Sequence, residues 1–224
     1  LTVLDFEPKY ITFDCYGTLV NFQMSATTVP LVTDRIDAED METFLADFRA
    51  YRLDEVLGEY KPYPQVLTDS FRRTCQRWGI GYRPDDARAI VDAVPTWGPH
   101  PGVPEALTRL ASRYPLVILS NAADDQLGDN VQKLGAPFHA VYTAEQARAY
   151  KPRLQAFEYM LDRLGCTPQD ILHVSSHVRY DLMPAWDLRI THKVYLDRGF
   201  DPSVPFYDYH EISDIADLPA LLGL

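Results

Sequence analysis

Short β-rich runs alternate along this chain with stretches whose apolar residues recur at helical spacing. The runs that read as strands are Ile11 to Phe13, Leu116 to Leu119, Ala140 to Tyr142, Ile171 to Val174 and Lys193 to Leu196. Between them, Val103, Leu107 and Leu110 share one helix face, and Leu154, Phe157, Leu161 and Leu164 share another. Apolar strands separated by amphipathic helices predict an α/β fold with a five-stranded parallel sheet covered by helices.

Between the first run and Trp97 the alternation stops, and helical stripes follow one another without an intervening strand. Met41, Phe44, Leu45 and Phe48 form the first stripe, Val66, Phe71, Cys75 and Trp78 the second, and Ala87, Ile90, Val91 and Val94 the third. A Pro/Gly cluster from Trp97 to Pro104 then ends this block and starts the next unit. The expected organisation is a core of residues 1–22 and 97–224 with a small all-helical cap, residues 23–96, inserted after the first strand. The stretch Asp201 to His210, rich in Pro and aromatics, reads as an irregular tail before a last short helix near Leu218 to Leu222.

A chain of 224 residues is long enough for such a core with an insertion. Its formal charge of −11 argues against a nucleic-acid partner, because phosphate contacts need clustered Lys and Arg. No apolar stretch approaches the ~20 residues of a membrane span, so no membrane partner is expected. Three cysteines without a Cys-x-x-Cys pair point to a reducing compartment. The opening Leu1 to Glu7 lacks the features of a secretion signal, and the expected location is cytoplasmic.

Asp14 closes the first run and is followed at once by Cys15-Tyr16-Gly17-Thr18-Leu19. A carboxylate at a strand end, tipped out of the sheet by a Gly turn, is where open α/β folds place reacting groups. On its own Asp14 reads equally as a turn or capping aspartate. Ser120-Asn121 follows the second run and supplies neutral donors for a carboxylate or a developing anion, although Ser120 alone is equally a helix cap. Lys151, just before Pro152, would keep a neighbouring carboxylate ionised. Asp181 follows Val174-Ser175-Ser176-His177 and opens a helix, as a cap or as a water-orienting carboxylate. His173 and His177 are four apart, but His173 sits in a strand and no Glu follows it, so a helical zinc pair is not indicated. Strand alternation turns the Cys15 side chain away from that of Asp14.

Asp14, Ser120, Lys151 and Asp181, with their neighbours, resemble the four ordered motifs of the haloacid dehalogenase superfamily over nearly the whole chain. The resemblance implies a Rossmann-like core, an aspartate nucleophile and a covalent aspartyl intermediate. Most members are Mg²⁺-dependent phosphatases with a second acid two residues after the nucleophile. Here Tyr16 holds that position, and Ser175 and Ser176 stand where Gly-Asp is common. These departures make the chain similar to the (S)-2-haloacid dehalogenase branch, which implies neither metal nor cofactor.

By that resemblance Asp14 attacks C2 of a small 2-halocarboxylate, and water hydrolyses the ester. Ser120 and the backbone after Asp14 would hold the substrate carboxylate, and Thr18 would support the nucleophile. Lys151 would orient Asp14, while Ser175 and Asp181 would place Lys151 and the water. Asn121 would face the halide, with Arg49, in preference to Arg52, as the cap arginine that receives it. Tyr16 and Tyr63 would wall the pocket. His177 stands where those dehalogenases often have Asn and is a candidate base, and the gap from Ser176 to Asp181 is longer than usual. Azetidine-2-carboxylate ring opening, a small-molecule phosphatase and a non-catalytic binding module are the rival readings. A homodimer is left open.

Overall fold

The computed structural model describes residues 3–224, so the first two positions of the opening stretch lie outside the described residues. Strands β1 (Tyr10–Phe13), β2 (Leu116–Ser120), β3 (Ala140–Thr143), β4 (Ile171–Ser175), β5 (His192–Leu196) and β6 (His210–Ile212) form one sheet. They pair in parallel in the order β3-β2-β1-β4-β5-β6. The sixth strand corrects the five-stranded expectation. It falls at the end of the segment read as an irregular tail, and only Ile212 of its three residues is buried. Its place on the sheet comes from backbone pairing with β5, Leu196 opposite Ile212, which leaves no apolar run in the sequence.

Four of the five α-helices between β1 and β2 form the inserted block: α1 (Met24–Val32), α2 (Met41–Leu57), α3 (Tyr63–Arg77) and α4 (Pro84–Ala93). The stripes read from the sequence face one another, with the Phe48 and Phe71 rings edge-on at 5.6 Å. Helix α1 had no such stripe to announce it, because Thr and Pro30 interrupt its apolar positions. Asn130 ties the exit of this block to the sheet-bearing unit, its Nδ2 donating to the carbonyls of Val94 and Trp97 at 2.9 Å each. The Tyr150 hydroxyl likewise donates to the Lys61 carbonyl at 2.7 Å.

The sheet is covered on both faces because alternate strand residues point to opposite sides. Leu116 and Ile118 pack with Val103, Leu107 and Leu110 of α5 (Val103–Ala111), and with Leu127 of α6 (Asp124–Lys133). Val117 and Leu119 pack with Phe157, Met160 and Leu161, which lie beyond the short α7 (Ala144–Ala147) on α8 (Leu154–Leu164). Helices α9 (Met183–Asp187) and α10 (Asp217–Leu221) complete the two layers. The result is an α/β doubly wound fold of Rossmann-like strand order. No helix among the described residues is long and apolar enough to cross a membrane.

Candidate active site

Asp14 leaves the end of β1, Ser120 ends β2 and Ser175 ends β4, and these are three adjacent parallel strands. Their carboxyl ends therefore open on one edge, the crevice where open α/β sheets bind ligands. The turn after Asp14 requires Gly17, which has φ +92° and whose added Cβ would lie 2.6 Å from His177 Nε2.

A buried ion cluster fills the crevice floor. Lys151 Nζ donates to Asp14 Oδ1 at 2.9 Å, to Asp181 Oδ1 at 2.8 Å and to the Leu119 carbonyl at 2.8 Å. All three ammonium protons are thus placed. Burial works against the Lys151 charge, but Asp14 and Asp181 outweigh it and hold the ammonium above its usual range. For Asp181, burial pushes the carboxyl up, and Lys151 and His173 more than offset that, holding it down to about 2. Thr18 donates to Asp14 Oδ2 at 2.7 Å and accepts the Ser176 N–H at 2.9 Å. Cys15 is fully buried with its thiol pushed up by burial, as befits packing rather than reactivity.

The longer gap before Asp181 is absorbed by a π turn, Val178–Leu182, in which the Leu182 N–H bonds to the His177 carbonyl five residues back. Asp181 thereby reaches Lys151 despite the extra residue. Ser175 is buried with the cluster but accepts the His177 N–H at 3.0 Å and does not bond Lys151. Asn121, expected toward a halide, uses both amide atoms on the Lys151 main chain, at 2.8 Å each. His177 Nε2 lies 3.0 Å from the Tyr16 carbonyl and 3.9 Å from Asp14 Oδ2, with its ring stacked on Phe200 at 5.1 Å.

The two arginines separate clearly. Arg49, the preferred halide receiver, donates to the Phe200 carbonyl and pairs with Asp201 at 2.6 Å, so its charge is already met. Arg52 makes no ion pair; its guanidinium lies over Phe48 at 4.6 Å and Phe22 at 5.4 Å. Its Nη1 is buried without a partner, and burial lowers its pKa from the ordinary value. A cavity of about 290 Å³ connects Arg52 to Asp14 and Lys151, walled by Tyr16, Tyr63 and Tyr180. Phe22, Tyr180 and Phe200 in that wall, and Thr12 and His173 behind Asp181, were not singled out as site residues from the sequence; isolated aromatics and a strand His signal only burial.

Polar atoms left unpartnered mark where a ligand fits. Ser120 Oγ, Ser176 Oγ, Asp181 Oδ2 and Arg52 Nη1 are buried with no hydrogen bond, and a buried orphan costs roughly 1–3 kcal/mol. Among the described residues, the Cys15 and Tyr16 N–H groups also have no acceptor. The donor set suits an anion beside Asp14 and a water beside Asp181. It does not suit Mg²⁺, which is held by one or two carboxylates with oxygens free to bind it, together with waters and substrate phosphate. Asp14 and Asp181 are both bonded to Lys151, and no group of three or more His, Cys, Asp or Glu among the described residues is placed to hold a metal.

A buried Asp–Lys–Asp cluster thus lies at the sheet edge of a fold that carries a helical insert after its first strand. The family model described as haloacid dehalogenase-like hydrolase matches residues 8–185, and the chain belongs to that family. It is 29% identical over 178 residues to an (S)-2-haloacid dehalogenase of Xanthobacter autotrophicus, covering 75% of this chain and 68% of that enzyme. It is 25% identical over 228 residues to (S)-2-haloacid dehalogenase 4A of Burkholderia cepacia, covering 94% and 93% of the two chains. A solved dehalogenase with intermediate complex superposes with a TM-score of 0.83 over 99% of this chain and 100% of that one, at 22% identity.

Proposed function

We propose that this protein hydrolyses 2-haloalkanoic acids to 2-hydroxy acids without a metal, with residues 23–96 acting as the cap over the site. The observation that carries the reading is the Asp14 environment: a buried carboxylate held by Lys151 and Thr18, facing a cavity that Arg52 lines and to which, among the described residues, no second carboxylic acid is brought to protonate a leaving group. Phosphate ester cleavage needs such an acid and a metal to neutralise charge. Halide needs neither, since it leaves as a stable anion.

An Asp14 oxygen attacks C2 of the substrate, the carbon–halogen bond breaks, and the halide leaves with the bonding pair and inversion at C2. Ser120 Oγ and the Cys15 and Tyr16 N–H groups hold the substrate carboxylate. Arg52, rather than Arg49, receives the halide, since its Nη1 has no other partner. Tyr16 and Tyr63 exclude water from the nucleophile. Water then adds to Cγ of the Asp14 ester, giving up a proton to Asp181 Oδ2. The tetrahedral intermediate collapses as the leaving alkoxide takes the proton of the added hydroxyl, which releases the 2-hydroxy acid and restores Asp14, and Asp181 returns its proton to solvent. His177, whose Nε2 is engaged by the Tyr16 carbonyl, helps confine that water. The chain's similarity to (S)-2-haloacid dehalogenases supports the same chemistry. The setting fits a cytoplasmic enzyme, and a homodimer is compatible with it.

A single turnover of 2-chloropropionate in H₂¹⁸O, followed by peptide mass analysis, tests this. Label in the peptide containing Asp14 is the expected result, together with loss of halide release in Asp14→Asn. Label confined to the product, or an active Asp14→Asn, would overturn it. Phosphate release from generic esters only with added Mg²⁺, and no halide release, would favour the phosphatase instead.

A further inference from the structure

His173 lies in the middle of β4, which is hydrogen-bonded on both sides, and none of its surface is exposed. An imidazole in such a place must have both nitrogens satisfied. Nδ1 is 2.8 Å from the hydroxyl of Thr12, its direct register partner on β1. Nε2 is 2.9 Å from Asp181 Oδ1. The ring packs against Phe157 of α8 in a T-shaped arrangement, with centroids 5.1 Å apart.

The protons on this path follow from the distances. The other acceptor within reach of the Thr12 hydroxyl is the Leu172 carbonyl, at a marginal 3.5 Å, so the hydroxyl donates to Nδ1. Nε2 then carries the hydrogen and donates to Asp181. Asp181 Oδ1 therefore takes two donors from two directions, while Oδ2 takes none. Two bonds on one oxygen fix the carboxylate plane. They also leave Oδ2 as the acceptor with lone pairs free, since it has no hydrogen-bond partner among the described residues.

We propose that Thr12 and His173 are a positioning pair that aims Asp181 Oδ2 at the hydrolytic water, and so serve ester hydrolysis and not halide displacement. The inference rests on the haloacid reading above and adds a division of labour to it. Attack on C2 needs an ionised, oriented Asp14, which Lys151 and Thr18 secure without His173. Attack of water on the ester needs a base at a fixed angle, and losing that angle slows the step by up to about 100-fold.

The experiment is rapid-quench kinetics with 2-chloropropionate on the full chain and on His173→Phe, His173→Gln and Thr12→Val, with intact-mass detection of the enzyme. For His173→Phe the expected pattern is a halide burst of one equivalent at the unmodified rate, then turnover slowed roughly 10- to 100-fold. The ester accumulates, so kcat and KM fall together while kcat/KM for halide release holds. Gln, whose amide can replace the Nε2–H donor, restores most of kcat. Thr12→Val, which keeps the shape and frees the imidazole, shows the same pattern more weakly and carries the comparison if the Phe variant does not fold. A burst slowed as much as the turnover, or no ester accumulation in any folded variant, overturns the positioning role. An unmodified protein that forms no ester and releases no halide overturns the haloacid reading itself, and the pair's role with it.

Discussion

At the scale of single residues, Lys151 governs the site because two buried carboxylates share one ammonium. Arginine keeps the charge but not the compact shape, and its planar fork cannot point at Asp14, Asp181 and the Leu119 carbonyl at once. Lys151→Arg should therefore lower halide release by roughly 100-fold or more, the scale seen when a preorganised electrostatic contact is lost. Gly17 is as constrained from the other side: an Ala there combines a positive φ with a Cβ 2.6 Å from His177 Nε2. Gly17→Ala should lower the melting temperature and activity together, and calorimetry with a halide assay checks it. The residues legible in the sequence were those whose neighbours carry the message, namely Asp14 before its Gly turn, Lys151 before Pro152 and Asp181 after Ser175-Ser176. The sequence favoured Arg49 over Arg52 without a physical basis for the choice, since two arginines three apart on one helix are neighbours on its surface. What separates them is tertiary: Asp201 pairs with Arg49, whereas Arg52 stacks on aromatic rings and its Nη1 has no partner among the described residues. Arg52→Ala should raise KM strongly with stability little changed, whereas a halide receiver at Arg49 would reverse that ranking.

At the scale of elements, five strands and three cap helices were readable because each buries an apolar face whose period shows in the sequence. The sixth strand and α1 were not, because one depends on backbone pairing and the other on a broken stripe. The π turn belongs in the same class. A five-residue hydrogen-bonded turn stores one residue more than an α turn, so the gap before Asp181 lengthens without moving its carboxylate off Lys151. Arg179, exposed within that turn, is the residue whose removal should let it relax to an α turn. Deleting it should leave measurable halide release and near-native circular dichroism; complete inactivity in a folded deletion variant would show that the π geometry itself is required. The Arg49 link is also an element-scale device, since it joins α2 of the cap to the loop after β5, where Asp201 Oδ2 accepts the Val178 N–H at the start of the π turn. Its side chain is 41% exposed, and solvent screening limits its worth to about 1 kcal/mol or less. Arg49→Ala should change stability little and raise KM several-fold, an effect that grows smaller in high salt, where the unmodified link is already screened.

At the scale of the molecule, the buried cluster sets a pH window for stability. Asp181 titrates near 2 in the fold, against about 3.9 for a free Asp. As pH falls the unfolded chain takes up that proton first, so the contribution of Asp181 is intact above about pH 4 and is lost toward pH 2. Lys151 is held above its ordinary value, so its contribution is intact below about pH 10 and is lost as pH rises through its folded value. Between these limits the cluster is fully charged, and stability should show a plateau as far as these two groups set it. Lys151→Met removes the cation and leaves Asp14 and Asp181 buried without it, a change that costs about 3–5 kcal/mol at neutral pH. The sign of the pH dependence then reverses for Asp181. Without the ammonium, burial works to raise its carboxyl, so the folded variant binds that proton more readily than the unfolded chain and gains stability as pH is lowered. Urea titrations of both proteins at pH 7.5 and pH 4.5 read this directly. The stability gap between them should be smaller at the lower pH, and a gap independent of pH would mean that Lys151 acts by packing alone.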